Sequence, residues 1–66
     1  MAGNARGKLK EEMEGIHKNL DWVSVHAQKG KLLLGDTHPE LHELFDNLIL
    51  ASTTMDEIAA NIYSHL

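Results

Sequence analysis

Leu32-Leu33-Leu34-Gly35-Asp36-Thr37-His38-Pro39-Glu40-Leu41 divides the chain into two helical halves. Gly35 follows a run of good helix formers and suits the left-handed residue that closes a helix. Thr37 has Glu40 three residues on and Pro39 between them, the pattern of a capping box with proline in the first helical turn. One helix is therefore expected to end at about 34 and another to begin at about 38. A connection this short makes the two run antiparallel.

Outward from that break, apolar residues recur every three or four positions on both sides. Leu9, Met13, Ile16, Leu20, Val23 and Ala27 precede it; Leu41, Leu44, Leu48, Ala51, Met55, Ile58 and Ile62 follow. This spacing keeps an apolar stripe on one side of each helix and suits knobs-into-holes packing. The predicted fold class is all-α, an antiparallel helical hairpin with helix 1 at about 5–34 and helix 2 at about 38–65. Residues 1–4 are expected to form a flexible arm, with Asn4 available as an N-cap. The two stripes, centred on Leu20 and Leu48, are the expected hairpin core. Folding about residue 36 places Ala27 opposite Phe45, Gly30 opposite Leu41 and His26 opposite Asp46. Gly30 reads as an interior helix glycine, whose change to alanine gains up to ~1 kcal/mol where there is room.

Composition bounds the rest. Sixty-six residues allow one domain with a thin core, and domains this small draw on disulfides, metals, regular helix packing or association. There is no cysteine. The net charge of −4 is unevenly placed: every lysine and arginine precedes Gly35, and only acids follow it. Opposite-sign halves favour helix 1 against helix 2, within or between chains, and disfavour nucleic acid as a partner. The longest apolar run, Leu48-Ile49-Leu50-Ala51, is far short of the ~20 residues of a membrane span. Met1-Ala2-Gly3-Asn4-Ala5-Arg6 lacks the apolar stretch of a signal peptide. A soluble cytoplasmic protein is expected.

The chain holds more apolar surface than one seam can cover. Trp22, Val25, Phe45, Ile49, Leu50 and Tyr63 fall off the stripes and form the expected oligomer or partner interface, with Trp22 packed on Leu50. A homodimer forming a four-helix bundle covers such surface most simply; a hetero-partner is the rival.

Chemistry-bearing residues are sparse. His38 and His42 share a helix face at metal-chelating spacing, beside Glu40 and Glu43 but without a third ligand in sequence. Glu14-Gly15-Ile16-His17 has the spacing of a di-metal motif that occurs once only. Ser52-Thr53-Thr54 is able to bend helix 2 or to line a polar pocket. No nucleophile–base pair, phosphate-binding glycine loop or catalytic carboxylate pair is present, so neither an enzyme nor a cofactor is expected. The expected function is that of a small non-enzymatic helical interaction protein, an adaptor, inhibitor or regulator of a larger unidentified protein, acting as a homo-oligomer. The alternative is a small-ligand or metal-binding bundle using His38, His42 or the Ser52–Thr54 run.

Overall fold

The computed structural model describes residues 3–66, so Met1 and Ala2 of the expected arm lie outside it. Two helices, α1 (Gly3–Leu34) and α2 (Pro39–Ser64), pack against each other as a hairpin. The backbones of Gly3 and Asn4 belong to α1, so the helix begins before the expected position 5 and Asn4 is not its cap.

The turn is longer than a simple cap. Gly35 has φ +60°, a conformation in which a Cβ would crowd the following carbonyl. The Gly35 amide donates to the Leu32 carbonyl and the Thr37 amide to the Leu34 carbonyl, both at 3.2 Å, which satisfies the end of α1. Thr37 does not cap α2 as its spacing implies. Its hydroxyl turns back to the Leu34 carbonyl at 2.5 Å. His38 flanks α2 instead, at φ 54° and ψ 66°, and its side chain makes no capping hydrogen bond. Pro39 opens α2 without an amide to satisfy, while the Leu41 and His42 amides reach the His38 carbonyl at 3.0 and 3.1 Å.

A second left-handed residue moves the midpoint of the turn toward α2, and the side-chain pairs nearest the turn differ from the expected ones. Gly30 meets Phe45 rather than Leu41. Asp46 pairs with Lys31 rather than His26. Toward the open end the register lies within one residue of the expected one, with His17 bonded to Asp56 and the Lys10 ammonium 5.7 Å from the centroid of the Tyr63 ring.

The line of contact is also rotated. It follows Lys10, Met13, His17, Leu20, Ser24, Ala27 and Lys31 on α1, in alternating steps of three and four. On α2 it follows His42, Phe45, Ile49, Ser52, Asp56, Ala59 and Tyr63, one residue beyond the expected row. Among the described residues only Ala27, Ser52 and Ala59 are buried, at 3%, 2% and 6% exposure. Small side chains at these points let the two backbones approach. Gly30 does so most sharply: a Cβ there would lie 2.9 Å from the Phe45 ring, so the expected room for a methyl is absent.

The hydroxyls of Ser52 and Thr53 donate to the Ile49 carbonyl at 2.8 and 3.1 Å, and that of Thr54 to the Leu50 carbonyl at 3.1 Å. The run is absorbed by its own helix. The whole molecule measures 53 × 15 × 10 Å between its Cα atoms. It is one helix thick and encloses no interior.

Candidate interaction surface

The hairpin has two broad sides of opposite character. On one, polar groups tie the helices together. His17 donates from Nδ1 to the Asp56 carboxylate at 2.7 Å. That hydrogen bond, reinforced by the carboxylate's charge and by Asp21, raises the His17 pKa above its ordinary value against a small opposing effect of burial. Lys31 pairs with Asp46, and the Tyr63 hydroxyl reaches Glu14 at 3.5 Å. A groove of about 400 Å³ lies on this side, floored by Met13, Ala59 and Ala60 and rimmed by Glu14, His17, Lys18, Asp56 and Tyr63.

His38 and His42 do not form a metal pair with a third ligand. His42 donates from Nε2 to the Gly35 carbonyl at 2.6 Å and so braces the turn. Among the described residues no three histidine, cysteine, aspartate or glutamate side chains converge.

The other side follows from helical geometry. When two right-handed helices run antiparallel, residues one position before the contact line turn to the same side on both. On α1 the apolar ones are Leu9, Ile16 and Val23, alternating with the polar Glu12, Asn19 and His26. On α2 they are Leu41, Leu44, Leu48, Ala51, Met55, Ile58 and Ile62. The apolar ones are all exposed, Leu44 at 61% and Ile58 at 57%, and the α2 positions carry no charge. The acids Glu43, Asp46 and Glu57 of α2 fall on the opposite side of that helix.

The two expected residue sets have therefore largely exchanged places. Of the expected hairpin core, Met13 and Leu20 are half-buried and Ala27 is buried on the contact line, and the others form this open apolar face. Of the expected oligomer interface, Phe45, Ile49 and Tyr63 lie on the contact line, with Phe45 and Ile49 half-buried. Val25 is half-buried on α1. Trp22 and Leu50 are exposed on outer flanks, and Trp22 stacks on His26, ring centroids 5.6 Å apart, rather than on Leu50.

Surface area gives the scale of what is uncovered. The chain exposes 5242 Å², whereas a compact folded monomer of 7.4 kDa exposes roughly 4,200 Å². The surplus, about 1,000 Å², is close to the ~800 Å² that each partner contributes to a stable interface. No helix among the described residues is long and apolar enough to cross a membrane. Comparison with protein-family models, curated proteins and solved structures returns no match.

Proposed function

We propose that this is a small non-enzymatic interaction protein, an adaptor, inhibitor or regulator of a larger protein, that works as a homodimer. Two hairpins meet through the apolar faces of Leu41, Leu48, Met55 and Ile62 and form a four-helix bundle. The outer flanks of the bundle, with Trp22 on one and Leu50 on the other, remain available to a partner. One observation carries this reading: an uncharged, exposed stripe of large apolar side chains running the length of α2, on a chain with almost no core of its own. Such faces are rarely left in water, and a self-complementary patch is closed by a second copy without further machinery.

Sedimentation equilibrium tests the assembly. At micromolar concentration the protein is expected at twice its 7.4 kDa mass, and Leu48→Asp at the single-chain mass. A fully helical wild-type protein that sediments as a single chain overturns the proposal.

A further inference from the structure

The apolar face carries enough pattern to say how the second copy sits on it, an inference that rests on the dimer proposed above. We infer that α2 packs antiparallel to the partner's α2 across a two-fold axis at Ala51. This sets α1 beside the partner's α1 and the two turns at opposite ends of the bundle.

The apolar stripe of α2 is two rows wide. One row is Leu41, Leu48, Met55 and Ile62; the next, farther from α1, is Leu44, Ala51 and Ile58. Its mid-line points straight out of the plane of the hairpin, toward whichever helix lies directly opposite. The stripe of α1 is one row wide, and the row beyond Leu9, Ile16 and Val23 is Glu12, Asn19 and His26. With the turns together, Ile58 of one chain would lie beside Glu12 and Asn19 of the other, and Leu44 beside His26. That arrangement leaves apolar area wet and strips water from a carboxylate without a partner. With the turns apart, the wide stripe covers the wide stripe, and the polar rows meet at a solvated rim.

The spacing is self-complementary about Ala51. Reversing the stripe brings Leu48 level with Met55, Leu44 with Ile58 and Leu41 with Ile62, so each layer of one helix meets an apolar layer of the other. Ala51, the smallest member, falls at the crossing, where helices approach most closely. The excess of acid on α2, which from sequence alone disfavours pairing like with like, does not oppose the contact. Glu43, Asp46 and Glu57 point to the far side of the hairpin, away from the interface.

The chain has no cysteine, so a single nitroxide reports the geometry cleanly. Asp36→Cys labels the turn, and Thr54→Cys an exposed position near the axis. For the turn label, about 15 residues at 1.5 Å each separate it from the axis, so dipolar spectroscopy should read about 45 Å between copies. For Thr54 it should read roughly 20 Å or less, given helices 8–10 Å apart. A dimer with the turn labels within about 25 Å and the Thr54 labels farther apart, as layers 8–10 Å thick require, overturns the arrangement and leaves the dimer standing. A labelled protein that sediments as a single chain overturns both.

Discussion

At Gly30 the missing side chain is itself a packing element, because the Phe45 ring occupies the space a methyl would need. Gly30→Ala therefore sets a helix-propensity gain of up to about 1 kcal/mol against an overpacking cost of about 1–3 kcal/mol. The expected outcome in urea denaturation is a net loss, relieved when Phe45→Leu is added. His17 is the other decisive residue. The Asp56 hydrogen bond raises its folded pKa, so the folded state binds the proton more tightly than the unfolded chain does. The resulting stabilisation is complete below the unfolded value of about 6.5 and is lost as pH rises through the raised folded value. Wild-type stability should thus fall relative to Asp56→Asn as pH rises above about 6.5, and parallel pH profiles for the two proteins would exclude the pairing. Neither effect is legible in sequence. Gly30 looks like any interior glycine, and His17 lies next to the apolar row that attracts attention.

The elements themselves are largely written in the chain. The alternation of three and four, the break after Leu34 and the proline at 39 place both helices within two residues of where they lie. The turn is less legible, because Thr37 and Glu40 imitate a capping box that does not form. The reason is local: Pro39 removes one amide donor, and the Thr37 hydroxyl finds a nearer acceptor at Leu34. Gly35 and His38 both occupy left-handed space, yet only one of them is a glycine. Gly35→Ala should therefore cost about 1–2 kcal/mol, while His38→Gly should gain up to about 1 kcal/mol. Denaturation midpoints at fixed concentration check both signs, and a gain from Gly35→Ala would contradict the backbone assignment.

For the whole molecule, hydrophobic periodicity locates the apolar stripe but not the angle at which a neighbouring helix meets it. The sequence reading places Val23, Leu48 and Ile58 in the hairpin core, and in the structure all three are exposed. What sequence alone does not reveal is that the single chain leaves them open and joins its helices along the adjoining small and polar row of Ser24, Ala27, Ser52 and Ala59. A lone hairpin loses little when Leu48, already half-exposed, becomes alanine; a leucine buried in a bundle loses 2–5 kcal/mol. The melting temperature should rise with protein concentration. Leu48→Ala should lower it much more than Glu57→Ala, which is expected to shift stability by less than ~0.5 kcal/mol. Circular-dichroism melts at two concentrations decide the matter, and equal effects from the two changes would place Leu48 in water.

The turn has one more consequence. The apolar rows of α1 and α2 are in phase through it: Leu9, Ile16 and Val23 continue by sevens to Leu44, Ala51 and Ile58, and Met13, Leu20 and Ala27 continue to Leu41, Leu48 and Met55. Were residues 35–38 to straighten, the chain would become one rod of about 60 residues, roughly 90 Å long at 1.5 Å per residue, with its heptad seam in phase throughout and broken only at Gly30 and Thr37. Pro39 opposes this, since inside a continuous helix it would break a hydrogen bond and clash with the preceding turn at a cost of ~3 kcal/mol or more. The bend between α1 and α2 thus selects between two quaternary designs encoded by one repeat, and a single proline weighs the choice toward the compact one.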